Sequence, residues 1–216
     1  MSTARASLKQ RLFARFMSAM DEESTRILGP KREELLSTAR GKIVELGPGT
    51  GVNFPYLPPG AEWVGIEPNP AMHPHLIEKA NARGIAVDLR ALDGDKLPLD
   101  DASVDFAIST LVLCSVPDVD AALAELHRVL VPGGKFLFME HVAAPRGTFR
   151  RFVQRTMPYT PWRYCADGCN PGRELATNIE NAGFAEVDIR PFDFELSNPI
   201  AWVVKPHIWG SATKAR

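Results

Sequence analysis

The nine residues at positions 43–51, IVELGPGTG, constrain the fold of this chain more than any other run. They predict a buried strand that leads into a loop, in which Gly47, Gly49 and Gly51 alternate with other residues. In parallel α/β sheets, a glycine-rich loop after the first strand binds nucleotide-like ligands. A dinucleotide fingerprint would need its third glycine at the position of Val52, which argues against a nicotinamide-dependent reductase. The spacing therefore predicts a different nucleoside ligand.

Length and charge narrow the classes of protein. With 216 residues, 45% of them hydrophobic, the chain can bury one core, and a net charge of −1 excludes a broad basic surface for nucleic acid. Small molecules are the expected partners, and the oligomeric state stays open. Three cysteines, an odd number without the density of secreted domains, fit a reducing cytoplasm. We find no signal peptide and no membrane span.

From Gly41 onward, strand-like runs alternate with helix-like runs, which predicts an α/β fold with a doubly wound, mostly parallel sheet and helices on both faces. A helix near 172–181 and two further strands complete one seven-stranded sheet. The predicted strands are 42–46, 63–67, 85–90, 104–110, 135–140, 185–192 and a last one near 200–205.

Two segments stand apart from this alternation. Residues 1–40 predict a helical cap or lid on the main domain, residues 41–216. Leu8, Leu12, Phe16 and Met20 form an apolar stripe there, which Phe13 and Met17 widen, beside basic residues. We expect this stripe to pack on the domain, and contact with a membrane surface is the alternative. Residues 142–171, rich in aromatic residues and arginine, predict an insertion that borders the site of a second substrate, the acceptor of the reaction.

Two acidic residues are placed to hold a nucleoside. Glu67 lies eighteen residues after Gly49 at the end of the second predicted strand, where a carboxylate can accept hydrogen bonds from both ribose hydroxyls. Asp93 follows the third strand, where it can accept from an adenine amino group while the N–H of Gly94 donates to a ring nitrogen.

Three motifs together resemble the class I S-adenosylmethionine-dependent methyltransferases. These are the E-x-G-x-G-x-G run that starts at Glu45, LPLDDASVD at 97–105 and RVLVPGG at 128–134. The resemblance implies a Rossmann-like domain that binds S-adenosylmethionine and leaves S-adenosylhomocysteine as product. The cofactor-binding residues that it implies are Glu45, Gly47, Gly49, Gly51, Glu67, Pro68, Asp93, Gly94 and Thr110.

A closer resemblance is to the methyltransferase-like seven group, the thiol S-methyltransferases of animal cells. It lies in TLVLCSV at 110–116, EHV at 140–142, DGC at 167–169 and PHIWG at 206–210. It implies methylation of a small, mostly apolar thiol. The apolar N-terminal anchor of the animal proteins is replaced here by the basic amphipathic helix. The alternatives are a carbon or oxygen methyltransferase of quinone or natural-product biosynthesis, and a module that binds the cofactor without turnover.

Methyl transfer from a sulfonium is a direct displacement that needs little acid-base assistance. We expect His141 to polarise or deprotonate the acceptor and Glu140 to orient it, because both lie at the carboxyl end of the fifth strand. The resemblance adds Asp167 to the catalytic set. It brings Cys169 and His207 to the acceptor pocket. Trp162, one of the aromatic residues after the fifth strand, is expected either to line that pocket or to pack its segment onto the N-terminal helix. We expect no metal, since the spacing of Cys165 and Cys169 alone is a weak ligand signal.

Overall fold

The computed structural model describes residues 6–90, 92, 96–194 and 199–216. It contains seven strands, which are β1 (Lys42–Leu46), β2 (Glu62–Ile66), β3 (Val87–Arg90), β4 (Val104–Thr110), β5 (Leu130–His141), β6 (Glu186–Asp193) and β7 (Pro206–Thr213). The α-helices are α1 (Leu8–Leu36), α2 (His73–Ala82), α3 (Val119–Val129), α4 (Phe149–Thr156), α5 (Trp162–Cys165), α6 (Leu175–Glu180) and α7 (Pro199–Val204). No helix among the described residues is long and apolar enough to cross a membrane.

The strands form one sheet in the order β3-β2-β1-β4-β5-β7-β6. The first five run parallel, and β7 inserts antiparallel between β5 and β6. The prediction of one domain with a seven-stranded, mostly parallel sheet is confirmed. The order of the strands turns back between β1 and β4, which are neighbours in the sheet although β2 and β3 separate them in the chain. Ligands of open α/β sheets bind beyond the carboxyl ends of the strands at such a switch point.

Helices cover both faces of the sheet, and successive side chains of a strand pack on opposite faces. In β1, Ile43 packs in the cluster that includes Leu36 of α1 and Leu76 of α2. The next residue, Val44, packs in the cluster on the opposite face, which includes Leu126 of α3 and other side chains of α3 and α6. The prediction of helices on both faces is therefore confirmed.

The prediction of the last strand, near residues 200–205, was wrong. Residues 199–204 form α7, and the strand that completes the sheet starts at Pro206. A short apolar run fits a strand or a buried helix equally well, and periodicity cannot separate the two. Gly210 lies where a Cβ atom would collide with the carbonyl of Asp188 on the neighbouring strand. A strand glycine can mark such a close approach of backbones.

Candidate functional site

A partly enclosed cavity of about 300 Å³ lies beyond the carboxyl ends of the parallel strands. Its walls come from the loops after β1, β2 and β4, from the inner side of α1 and from Asp167 in the segment after β5. Most of the lining side chains are apolar, with a few polar groups among them, which is the usual character of a small-molecule site. The cavity coincides with the predicted cofactor position.

The glycine loop is shaped to let a ligand approach its backbone. Gly47 and Gly49 both have positive φ angles, +60° and +55°, which glycine adopts without strain. A Cβ on Gly47 would clash with Val112, so the loop packs tightly on that side. A Cβ on Gly49 would meet no atom within 4 Å, because this residue faces the open cavity. Gly51 packs instead against Phe54 and does not line the cavity.

Glu67 follows β2 directly and brings its carboxylate to the cavity wall. One oxygen accepts a hydrogen bond from Gly49 N at 2.9 Å, and the other accepts from Asn69 N at 2.8 Å. Burial raises the pKa of Glu67, and the two backbone donors partly oppose that shift. A carboxylate oxygen has two lone pairs, so each oxygen can still accept a hydrogen bond from a ligand.

The remaining predicted cofactor residues divide between the cavity and the core. Pro68 and Thr110 line the cavity, whereas Asp93 and Gly94 lie outside the described residues. Glu45 is buried beneath the loop and does not line the cavity. Its carboxylate accepts hydrogen bonds from Asn53 Nδ2 at 2.8 Å and from Trp63 Nε1 at 2.9 Å. This placement favours a bracing role for Glu45 beneath the loop.

Because burial raises the pKa of Glu45 to about 7, this carboxyl should make folding depend on pH. The folded state holds its proton to higher pH than the unfolded chain, so the free energy of unfolding falls as pH rises from 4.5 to 7. The fall attributable to Glu45 is at most about 3 kcal/mol. In Glu45→Gln this contribution disappears, and the amide can still accept from Trp63 Nε1.

Urea unfolding of both proteins between pH 4.5 and 8 measures this contribution. The wild-type free energy of unfolding, relative to the variant, should decline through that range and level off above pH 7. Burial also raises the pKa of Glu140 to about 7, but both proteins contain Glu140, so its effect cancels in the difference. A difference that stays constant with pH would contradict the raised pKa of Glu45.

Arg32 is a cavity-lining residue that the sequence analysis missed. It lies on α1 and is 1% exposed. Within the described part of the chain its guanidinium donates only to Ser24, to the side-chain oxygen at 3.1 Å and to the carbonyl at 3.4 Å, and its Nε has no partner. Burial lowers the pKa of Arg32. The sequence did contain a signal for its burial. Arg32 lies four residues from both Leu28 and Leu36, which places it within the buried stripe of α1.

Helix α1 covers the cavity with one side and exposes the other. Phe13, Met17 and Met20 line the cavity, whereas Leu8, Leu12 and Phe16 are exposed. The predicted apolar stripe therefore splits, because the face that packs inward is rotated from the one the spacing favoured.

Polar contacts fix α1 over the site, among them a hydrogen bond of 3.2 Å from Asn69 Nδ2 to the carbonyl of Gln10. Asp21 accepts a hydrogen bond from Thr50 Oγ1 of the glycine loop at 2.7 Å and pairs with Lys79 of α2. Lys9 Nζ lies 3.2 Å from Asp167 Oδ1. The helix is thus tied to both the cofactor side and the segment after β5.

Of the residues predicted to act on the acceptor, only Asp167 lines the cavity. Glu140 is fully buried, and its carboxylate accepts hydrogen bonds from Ser109 Oγ at 2.7 Å and from the backbone N–H groups of Val112 and Leu113. These bonds hold the turn after β4, which forms one wall of the cavity. The placement of Glu140 therefore favours support of that wall over contact with an acceptor.

His141 lies behind the cavity wall with two cysteines. Its Nε2 is 3.2 Å from Cys169 Sγ, and Cys114 completes the group. A hydrogen bond between the two thiols lowers the pKa of Cys114 and raises that of Cys169. Trp162 Nε1 donates to the carbonyl of Cys169, and burial lowers the pKa of the nearby His207 to about 4. Direct contact of His141, Cys169, Trp162 and His207 with an acceptor stays a prediction.

Known proteins resemble this chain in sequence and fold. Residues 44–138 match a family model described as a methyltransferase domain. The demethylmenaquinone methyltransferase of Thermus thermophilus is 34% identical over 57% of this chain and 60% of that protein. Among solved structures, an S-adenosylmethionine-dependent methyltransferase from Thermotoga maritima matches with a TM-score of 0.64 at 22% identity, covering 95% of this chain and 99% of that one. This last match shows the fold.

Two human proteins match nearly the whole chain. Thiol S-methyltransferase TMT1B is 36% identical over 94% of this chain and 86% of its own length. Thiol S-methyltransferase TMT1A is 37% identical over 87% of this chain and 80% of its own length. Coverage of 94% and 87% of the chain extends well beyond the methyltransferase domain at residues 44–138. The chain therefore belongs to the thiol S-methyltransferase family that includes TMT1A and TMT1B.

Proposed function

We propose that this protein transfers a methyl group from S-adenosylmethionine to the sulfur of a small, mostly apolar thiol. The observation that carries the acceptor class is the identity with TMT1A and TMT1B over nearly the whole chain. The apolar cavity at the carboxyl ends of the strands supports a small-molecule acceptor. The match to the quinone-pathway enzyme stops at little more than half of the chain. It therefore gives weaker support to carbon or oxygen methylation.

The residues around the cavity fit S-adenosylmethionine. Gly49 leaves open space where any other residue would place a side chain, so a ligand can lie against the loop. Glu67 has free lone pairs for two ribose hydroxyls, and the buried guanidinium of Arg32 has an unpartnered Nε suited to the methionine carboxylate. When bound, S-adenosylmethionine supplies an electrophilic methyl group on a sulfonium.

The titratable groups of the cavity wall favour a thiol over an alcohol or phenol. Among the described residues that line the cavity, none is histidine, lysine or cysteine, and the carboxylates are Asp21, Glu67 and Asp167. Asp21 is paired with Lys79, Asp167 is paired with Lys9, and Glu67 holds the glycine loop. A thiol with a pKa of about 8.5 is partly ionised near neutral pH without a base, whereas a phenol with a pKa of about 10 is far less so. Asp167 stays the residue best placed to contact the acceptor.

Helix α1 would act as the lid of this site. Phe13, Met17 and Met20 close the cavity on the solvent side, and Asp21 fixes the helix to the glycine loop. Excluding water aligns the reacting groups and protects them from competing reactions. Opening of α1 would then accompany exchange of ligands, as lids do in many enzymes. The exposed Leu8, Leu12 and Phe16 leave peripheral membrane contact through this helix as an outcome that vesicle binding would test.

The setting we propose for this activity is the cytoplasm. Cys114, Cys165 and Cys169 are all free, which suits a reducing compartment. A net charge of −1 gives no support to a nucleic-acid substrate.

The proposal is tested with methyl-labelled S-adenosylmethionine and a panel of alkyl thiols, phenols and quinols, with products identified by mass. We expect methyl thioethers from the thiols and little label on oxygen or carbon. Glu67→Ala serves as the control for background reaction, since it should form little product when the cofactor is kept far below the dissociation constant of the variant. Label on phenols or quinols alone would overturn the acceptor class, and bound cofactor with no product from any acceptor would support a binding module instead.

A further inference from the structure

We propose that Cys114, His141 and Cys169 bind one Zn²⁺ ion behind the wall of the cavity. One ligand atom from each residue lies within 4.8 Å of the other two. All three residues are buried, with exposures of 2%, 6% and 8%. This site goes beyond the proposed methyl transfer and does not depend on it.

The spacing of the ligand atoms suits a tetrahedral ion. Zinc binds thiolate sulfur at about 2.3 Å and imidazole nitrogen at about 2.0 Å, so ligand atoms around it lie about 3.5–3.8 Å apart. His141 Nε2 and Cys169 Sγ are 3.2 Å apart, and the ligand atoms of Cys114, His141 and Cys169 all lie within 4.8 Å of one another. Small side-chain shifts therefore bring the three protein ligands to coordination distance.

The ligand chemistry and charge favour zinc. Two sulfurs and one imidazole form a soft donor set of the kind that selects Zn²⁺ over the oxygen-seeking Mg²⁺ and Ca²⁺. Binding would release one proton from each thiol to solvent, and the two thiolates would balance the charge of the ion. With the ion bound, the buried thiolates of Cys114 and Cys169 would both be paired with a cation.

Hydrogen bonds already hold together the two segments that carry the cysteine ligands. Cys114 lies in the turn after β4, where Arg173 donates to the flanking carbonyls of Leu113 and Val116. The N–H of Asn170 donates to the carbonyl of Cys114 at 2.9 Å, which fixes the turn to the segment that carries Cys169. A metal site needs such preorganisation, because every ligand that must be ordered on binding lowers the affinity.

The expectation of no metal rested on the four-residue spacing of Cys165 and Cys169. In the folded chain Cys165 is exposed, and the partner of Cys169 is Cys114, which lies fifty-five positions earlier in the chain. The proposed ion would join the turn after β4, the end of β5 and the loop after α5. It would thereby hold Asp167, two residues before Cys169, at the cavity wall.

Metal analysis of the full-length protein tests the site without reference to activity. The protein is kept reduced, exposed to Zn²⁺, freed of unbound metal and analysed for zinc. We expect about one zinc per chain. In the Co²⁺-substituted protein we expect a sulfur-to-cobalt charge-transfer band and strong visible bands of a tetrahedral ion. Removal by a chelator should lower the temperature of thermal unfolding by several degrees.

Single variants locate the ligands. Cys114→Ala and Cys169→Ala should each lose the bound zinc and the cobalt spectrum, whereas Cys165→Ala, at the exposed cysteine, should keep both. Circular dichroism shows whether the variants fold, and the cobalt spectrum of the wild-type protein tests the site even if they do not. A wild-type protein that retains less than about one-tenth of a zinc per chain would overturn the proposal. So would equal loss in Cys165→Ala.

Discussion

Glu67→Ala should lower the affinity for S-adenosylmethionine about 100-fold. The carboxylate would lose charge-assisted hydrogen bonds to two ribose hydroxyls, each contributing roughly 1.5 kcal/mol or more, and 1.4 kcal/mol is tenfold in affinity. The variant also loses the acceptor for Gly49 N, so the glycine loop is held less firmly. Isothermal titration calorimetry with S-adenosylhomocysteine measures the affinity without turnover.

Glu62→Ala is the matched control, because Glu62 lies at the other end of the same strand and is exposed. It pairs with Lys42 at the surface, and exposed pairs contribute little to stability. We expect its affinity for the product to equal that of the wild-type protein. Unchanged affinity in Glu67→Ala would show that the nucleoside does not lie at the end of β2.

Arg32→Met should separate cofactor binding from stability. The buried guanidinium is bonded to Ser24, its Nε is unpartnered, and its burial carries a desolvation cost. Methionine fills similar space without a charge, so the free protein should be as stable as the wild type or more stable. Affinity for S-adenosylmethionine should fall ten- to a hundredfold, because the methionine carboxylate loses a charge-assisted partner.

Thermal unfolding without ligand and calorimetry with ligand give the two readouts for this variant. Arg26→Met is the control, since Arg26 lies on the same helix and its side chain is 71% exposed. It should change neither quantity by more than a small amount. If Arg32→Met destabilises the free protein and binds the cofactor normally, Arg32 has a structural role and the carboxylate lies elsewhere.

The sequence predicted the sheet well because its parallel part is built from local repeats. Buried strands, turns and amphipathic helices such as α2 and α3 each leave a pattern that is visible in a window of a few residues. The antiparallel strand β7 lacks that support. It follows a helix of six residues, contains Gly210, and inserts between the preceding strand β6 and β5, which is distant in sequence. Its position is fixed by tertiary contacts that no local pattern contains.

The cofactor side of the site was more predictable than the acceptor side. Gly49 and Glu67 end or follow strands whose direction fixes where they lie. Glu140 and His141 also end a strand, but neighbouring residues on a strand face opposite sides of the sheet. Glu140 thus holds the turn after β4 while His141 meets Cys169. Being at the end of a strand did not bring either side chain to the cavity.

The groups that the sequence analysis missed are joined by distant parts of the chain. Arg32 reaches the cavity because α1 crosses over it, and its direction depends on how that helix is rotated. Cys114 meets Cys169 because the loop after α5 returns to the turn after β4. Spacing in sequence carries no signal for such contacts, whereas a charged residue in a buried helical stripe does carry one.

The most direct test of the central claim uses an acceptor that carries a thiol and a phenol hydroxyl on one ring. Both groups are then part of one molecule, so a difference in affinity between two separate substrates cannot explain a preference for one group. Incubation with S-adenosylmethionine, followed by fragmentation mass spectrometry and magnetic resonance of the product, identifies the methylated atom. We predict a methyl thioether, of which Glu67→Ala forms far less when the cofactor is kept near the dissociation constant of the wild-type protein. A methyl ether, or a methyl group on a ring carbon, would contradict thiol S-methylation as the function of this protein.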